Sequence, residues 1–318
     1  MKQIVILSGK GGTGKTSLTA AFAHLAATQP PHIEEREEGL ESRAASGDHS
    51  AVLVDADVDA SNLELVLSPQ VLETHPFKGG QIAIIDSEMC EGCGICAGLC
   101  RFDAVLQQGD LYVVDPIACE GCALCFYQCP SGAIRMEEQV AGEWYRSESR
   151  YGPLLHAALW PAQENSGKLV TMVKQQGRLV AMDNARDLVL VDGPPGIGCP
   201  VISAAAGADL ALIVAEPTAA GIHDMARALE TTQHFGIPSL ICINKYDLYP
   251  AGTAEIEAYC AERGLSVVGR IPFDTVVTEA MVQGQPVTAY RPHSATSQAL
   301  RVAWERLLAA VDGGERAG

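Results

Sequence analysis

Two sets of residues in this 318-residue chain have types and spacings that do chemistry. "GKGGTGKT", Gly9 to Thr16, fits G-x-x-x-x-G-K-S/T. In such a loop Gly11, Gly12 and Gly14 let backbone N–H groups turn toward phosphate oxygens, and Thr13 and Ser17 extend the contacting run. Lys15 neutralises the β and γ phosphates, and Thr16 holds Mg2+ through its hydroxyl. The second set is made of thiols. Cys90, Cys93, Cys96 and Cys100 read C-x2-C-x2-C-x3-C, and Cys119, Cys122, Cys125 and Cys129 repeat the spacing. Three thiolates at two-residue gaps wrap one corner of an iron–sulfur cube, while the fourth lies too far along and crosses to another cluster. Zinc is the rival, since paired C-x2-C motifs build four-cysteine sites; zinc usually joins two separated pairs, and each block here is a triplet plus one.

The elements that must position these residues follow from composition. "QIVILSG" (3–9) is an apolar, β-branched run that ends at the loop, and "TGKTSLTAAFAHLAA" after it has helix-forming composition. "AVLVDAD" (51–57), "DLVLVDG" (187–193), "DLALIVAE" (209–216), "PSLICINK" (238–245) and "LSVVGRI" (265–271) are further short apolar strands, separated by helix-length segments such as 219–236. Alternation of this kind predicts an α/β fold, a mostly parallel sheet with helices on both faces. Residues 29–50, with Pro-Pro and a charge cluster, read as a surface excursion. The cysteine stretch breaks the pattern, and 85–105 matches 114–134 at every cysteine, which indicates a duplicated, pseudo-symmetric insert. The expected organisation is an ATPase domain from 1–79 and 141–318, interrupted by an α+β two-cluster domain at 80–140.

Asp192 ends the apolar strand of "LVLVDGPPG" and is the expected second Mg2+ carboxylate, acting through water. Lys10, an additional lysine early in "KGGTGKT", makes the loop resemble the deviant Walker A motif of the MinD, ParA and nitrogenase iron-protein family of P-loop ATPases. The resemblance implies that Lys10 reaches the nucleotide of a partner subunit. It continues through "VDADVDASNLELVL" (54–67), a first switch. There Asp57 would position or activate the attacking water, Asp55 would support Mg2+ through water, and Asn62 would lie near the subunit interface. Asp55 has a second reading, as a strand-end carboxylate capping the next turn. "DGPPGIG" (192–198) resembles the second switch. Asn244 in "INKYD" and Pro272 in "IPFD" stand where the family holds adenine; Asn244 is equally a turn residue.

The cysteine blocks resemble bacterial two-cluster ferredoxins. That resemblance implies one 4Fe–4S cluster on Cys90, Cys93, Cys96 and Cys129, and another on Cys119, Cys122, Cys125 and Cys100. The family places proline after the fourth cysteine. Pro130 fits and Arg101 does not, so a looser or re-aimed turn is expected after Cys100. Cys242 and Cys260 read as small hydrophobes. Cys199, near the second switch and a probable helix start, is open between inert packing and a redox or cluster contact.

A formal charge of −17 and no basic run disfavour nucleic acid. The opening residues lack a charged n-region and a long apolar core, no apolar stretch approaches the roughly 18–20 residues that cross a bilayer, and reduced thiols fit a cytoplasmic setting. The amphipathic segment 297–311, apolar at Leu300, Trp304, Leu307, Leu308 and Val311, reads as a final helix packed on the sheet rather than a stable membrane anchor. The cofactors expected are ATP, Mg2+ and two 4Fe–4S clusters. The expected partners are a second copy or a related ATPase, joined through ATP, and a redox or iron–sulfur protein. Three functions remain in order: a nucleotide-switched electron-transfer ATPase, an iron–sulfur carrier or assembly ATPase of Mrp type, and a MinD- or ParA-like spatial organiser.

Overall fold

The computed structural model of the chain describes residues 1–28, 51–161, 163 and 165–313; the excursion read at 29–50 lies outside them. The strands in chain order are β1 (Lys2–Ser8), β2 (Val52–Asp55), β3 (Gln70–Ile85), β4 (Val105–Gln108), β5 (Leu111–Val114) and β6 (Ile134–Ser149). They continue as β7 (Gly152–Leu159), β8 (Leu188–Pro195), β9 (Leu210–Ala215), β10 (Ser239–Asn244) and β11 (Val267–Ile271). The chain packs as two compact units, Met1–Thr74 with Trp144–Ala158 and Ser166–Gly318, and His75–Glu143 with Leu159–Asn165. Leu159–Asn165 carries no motif that would have assigned it to the second unit; it returns there by contacts such as Trp160 N donating to Ala141 O at 2.9 Å.

The large sheet runs β11-β10-β9-β1-β8-β2-β7-β6-β3, and the six pairings from β11 to β7 are parallel. Parallel strands covered on both faces should be apolar throughout rather than alternating, and β9 is buried at every position. Ile4, Ile6, Leu53 and Leu190 pack on one face with Phe22 and Leu25 of the helix Lys15–Thr28. Ile213, Ile241 and Ile243 pack on the other with Met225 and Leu229 of the helix Ala219–His234. The final helix, Ala295–Gly313, joins the first of these cores through Leu300, Trp304 and Leu307, and the Trp304 ring centroid lies 5.2 Å from that of Phe22. Among the described residues no helix is long and apolar enough to cross a membrane.

His156 on β7 is buried between Ser147 Oγ, 2.9 Å from Nε2, and Glu64 Oε2, 3.0 Å from Nδ1. Burial lowers its pKa to about 4, so the ring is neutral and the Glu64 contact is a hydrogen bond rather than an ion pair. The folded value lies below the unfolded 6.5, so the unfolded chain binds the proton first. Stability is therefore full above pH 6.5 and falls by up to about 3 kcal/mol as pH drops through 4. Denaturant unfolding between pH 7 and 4 should show that slope, and His156→Asn should flatten it.

The second unit displays its duplication in the backbone. The short helices Ile95–Leu99 and Leu124–Gln128 each follow a left-handed residue, Gly94 at φ 73° and Ala123 at φ 60°. Each ends on a cysteine, Cys100 at φ −72°, ψ 114° and Cys129 at φ −73°, ψ 114°. The loosened turn expected after Cys100 is therefore absent: the chain through Arg101 leaves the helix as the chain through Pro130 does. The following reversal is supplied by Asp103 at φ 52°, where the other half has Gly132 at φ 65°. Strands β4 and β5 pair antiparallel, Val105 opposite Val114.

Candidate functional site

Six parallel strands end at one edge of the sheet, where ligands of open α/β sheets bind. Ser8 closes β1, Asp55 closes β2, Asp192 lies near the end of β8, Glu216 follows β9, Asn244 closes β10 and Pro272 follows β11. The parallel register sets Asp55 directly beside Asp192.

The phosphate loop leaves β1 at Ser8 and enters the helix Lys15–Thr28. Lys15 is buried, and its Nζ donates to Ser8 Oγ at 2.8 Å. Burial lowers its pKa, while the Asp192, Asp57 and Asp55 carboxylates pull the other way. Gly14 sits at φ 91°, and a Cβ there would stand 2.4 Å from Asn244 Nδ2. That amide donates to Thr13 O at 2.7 Å, and its Oδ1 accepts from Lys245 N at 3.0 Å. Asn244 thus spends its side chain on holding the loop, although it also lines the neighbouring cavity. Thr13 Oγ1 is buried with no hydrogen-bond partner, a polar atom left for a ligand.

The carboxylates divide their work. Asp192 is buried and accepts from Thr19 Oγ1 at 3.0 Å and from the Thr16 hydroxyl; burial and then Asp55 push its pKa up. Asp57 is raised to about 6, by burial first and by Asp55 second, with Lys15 opposing. Asp55 Oδ1 accepts from Asp57 N at 3.0 Å, and Oδ2 accepts from Ser61 Oγ at 2.8 Å, Leu63 N at 3.1 Å and Asn62 N at 3.2 Å. Four donors fill a carboxylate. In this geometry Asp55 organises the turn from Asp57 to Leu63, as the turn-capping reading expects. Asn62 is exposed, its amide donating to Ala60 O at 2.6 Å.

A cavity of about 240 Å3 opens beside the loop, lined by Gly12, Gly14, Ser17, Asn244 and Pro272 among others. Ile271, Val277, Met281 and Leu300 give it apolar walls that suit a flat ring. Lys10 lies at the loop's other side, its Nζ 2.9 Å from Glu216 Oε2. Lys245 contacts the second oxygen of the same carboxylate and donates to Gly12 O at 3.2 Å.

The stretch resembling a second switch runs from Asp192 into the helix Cys199–Ala205, with Gly196 N donating to Ser8 O at 3.1 Å. Cys199 is exposed at the start of that helix. Lys174, which no motif singles out, holds the other end, donating to Ser203 O, Ala204 O and Ala206 O at 2.7 Å each. Burial pulls its pKa down to about 8, with Arg178 adding to the effect. Glu216, Lys245 and Lys174 are the residues that sequence reasoning missed; only Glu216 carried a signal, as the charged end of an apolar strand. Cys242 and Cys260 are buried, their thiols pushed up to about 12 and 11 by burial, as small hydrophobes should be.

In the second unit Cys90, Cys93, Cys96 and Cys129 line one small cavity, together with Ile85, Gly94, Tyr112 and Ile134. Three of these thiols come from the first motif and one from the second. Cys100, Cys119 and Cys125 pack with Cys96 and Cys129 against Ala83, Val105 and Ile134, while Cys122 is exposed. Desolvation opposes ionisation of Cys129, but hydrogen bonds from Ser131 Oγ and the amides of Ala133, Ser131 and Gly132 outweigh it and lower its pKa. Among the described residues no group of three or more His, Cys, Asp or Glu side chains is drawn together as for a single metal ion.

Comparison with known proteins adds to this geometry. Residues 165–308 match the ParA family, described as NUBPL iron-transfer P-loop NTPase, and 83–106 match the 4Fe-4S binding domain. An uncharacterised protein of Methanocaldococcus jannaschii is 32% identical over 244 residues, 76% of this chain and 78% of that one. A Drosophila grimshawi homologue of Nubp1, a cytosolic Fe-S cluster assembly factor, is 28% identical over 173 residues, 48% of this chain and 53% of that one. The MinD cell division protein of Aquifex aeolicus has the same fold, with a TM-score of 0.56 at 19% identity over 97% of this chain and 98% of that one. Sequence and fold agree, and the chain belongs to the ParA-type P-loop NTPases and carries a 4Fe–4S binding domain of the ferredoxin type.

Proposed function

We propose that this chain is an ATP-hydrolysing iron–sulfur carrier or assembly protein, in which the nucleotide state governs when a bound cluster is handed to an acceptor. The observation that carries the reading is the cavity ringed by thiols of both cysteine motifs in a chain that also holds a complete phosphate loop. The match to an iron-transfer NTPase family and the likeness to a cluster assembly factor favour transfer of clusters over transfer of electrons. Cys93, an exposed thiol among those lining that cavity, is the cluster ligand that an acceptor thiolate would most readily replace on iron, leaving Cys93 free.

In this reading Lys15 neutralises the β and γ phosphates, the unpartnered Thr13 hydroxyl meets a phosphate oxygen, and the cavity edged by Pro272 takes the adenine. Thr16 and Asp192 would hold Mg2+, whose charge suits a pocket where three carboxylates face one buried lysine. Asp57 orients the attacking water. Two subunits, identical or related, close on ATP and each Lys10 completes the partner's site. Lys10→Ala should leave ATP affinity within about twofold and slow turnover roughly a hundredfold or more, as loss of a cation supplied in trans does. Steady-state hydrolysis beside equilibrium binding checks it, and normal turnover would remove the dimer mechanism.

A second reading, electron transfer through two clusters, is favoured by the eight-cysteine set, which is fuller than a transient carrier needs. Anaerobically loaded protein mixed with an iron-free acceptor separates the two. Transfer of iron and sulfide that depends on ATP supports the carrier. Retained clusters whose reduction potential differs between ATP and ADP support the redox protein.

A further inference from the structure

We infer that Glu216 is a positioning residue for Lys10, a latch that keeps the lysine in its own subunit until a partner's nucleotide draws it away. The inference rests on the proposal that Lys10 acts across a dimer. Glu216 stands at the carboxyl end of β9, immediately before the turn into the helix Ala219–His234, and its side chain is 12% exposed. One carboxylate oxygen takes Lys10 Nζ at 2.9 Å, and the other takes Lys245. Burial opposes ionisation of this carboxyl, but the two lysine hydrogen bonds outweigh it and hold the group below the usual carboxylate range.

Three features make the contact a latch rather than a fixed strut. The main chain around Lys10 is pinned independently of its side chain. Ser8 Oγ donates to Lys10 O at 2.6 Å, and a Cβ on Gly9 would come within 2.3 Å of Asp224, so the backbone lies tight against the neighbouring helix. The side chain is free to swing without moving the loop. Its own exposure is 33%, so it reaches solvent from the latched position. Finally, Lys245 is tied to Gly12 O as well as to Glu216 and stays behind when Lys10 departs. The carboxylate is never left without a counter-charge, which is what usually makes breaking a partly buried pair costly. A phosphate offers Lys10 a stronger anion than a shared carboxylate does.

Each subunit must open its latch for a dimer to close. If Lys10–Glu216 resists release by about threefold, the usual scale of a partly exposed pair, two latches resist dimerisation by about tenfold. Glu216→Gln keeps the shape and removes the charge. It should therefore tighten ATP-dependent self-association about tenfold, read by sedimentation or light scattering over a concentration series, with ATP affinity of the monomer within about twofold. Glu216→Asp, one methylene shorter, should give a smaller gain in the same direction and serves if the glutamine variant does not fold. In a Lys10→Ala background the gain should vanish. Unchanged or weakened association in both Glu216 variants, or a gain that survives without Lys10, would overturn the latch. Lys10→Ala alone distinguishes the underlying reading. If it leaves association and turnover unaltered, the trans-acting lysine itself is wrong; if it impairs them while Glu216→Gln has no effect, only the latch is.

Discussion

Lys15→Ala is expected to reduce ATP affinity by about a thousandfold, the scale of several charge-assisted hydrogen bonds lost together. Lys15 is the buried cation that faces Asp192, Asp57 and Asp55, and its amine is held in place by Ser8 Oγ. Its loss removes the charge that meets the β and γ phosphates and leaves three carboxylates to repel them. The carboxylates should respond by taking up protons, so the variant is expected to regain part of its stability toward acid pH while binding stays weak. Calorimetric titration with ATP measures the binding, and denaturant unfolding at two pH values measures the stability. Retained micromolar affinity would show that the loop beside Lys15 is not where the triphosphate sits. Lys15→Arg is a weaker replacement, because a planar guanidinium does not fit the place of a point charge that donates to one hydroxyl.

Cys129→Ala should halve the iron of anaerobically prepared protein, from about eight to about four atoms per chain. The test of the crossed arrangement lies in the pairs. Cys129 shares its cavity with Cys90, Cys93 and Cys96, so Cys93→Ala combined with Cys129→Ala damages one cluster and should still leave half the iron. Cys122→Ala combined with Cys129→Ala damages both and should leave almost none. If each motif served its own cluster, these two outcomes would be exchanged. Stoichiometric zinc in the unaltered protein, with no acid-labile sulfide, would end the iron–sulfur reading altogether. Serine in place of alanine at each position guards against a fold that fails through lost packing, since Cys96, Cys125 and Cys129 also pack against Val105 and Ile134.

Much of the site was legible because its chemistry is local in sequence. A loop between strand and helix, or thiols at two-residue gaps, leaves little freedom about what binds. The sheet was readable for a related reason: strands buried on both faces cannot hide their composition, and "LALIVA" is apolar at every position. What escaped was tertiary. For Asn244 the sequence left base contact and turn residue open; what it did not show is that the missing side chain of Gly14, 230 positions earlier, lets its amide reach Thr13 O. Asp55 was readable as a carboxylate in the right place; that four donors already occupy it depends on how the turn through Ser61 to Leu63 folds back. Lys174 carries no motif at all, since any long side chain with a positive tip could cap three carbonyls, and only the packing of two helices shows that this one does. The turn after Cys100 was misjudged because proline is one way to impose that backbone and Arg101 is another, once Asp103 supplies the reversal.

The gathering of strand ends has a consequence of its own. Ser8, Asp55, Asp192 and Asn244 lie on four different strands, Glu216 and Pro272 directly follow two more, and all six stand at the edge proposed for ATP. A bound triphosphate would then act as a rivet through the rim of the sheet, adding to the ladder bonds and the few side-chain ties, such as Asn244 to Thr13 O and Glu216 to Lys10, that already join these segments. Losing it after hydrolysis would loosen the whole edge at once, so the fold would register the γ-phosphate as a change in rigidity as well as a change in shape.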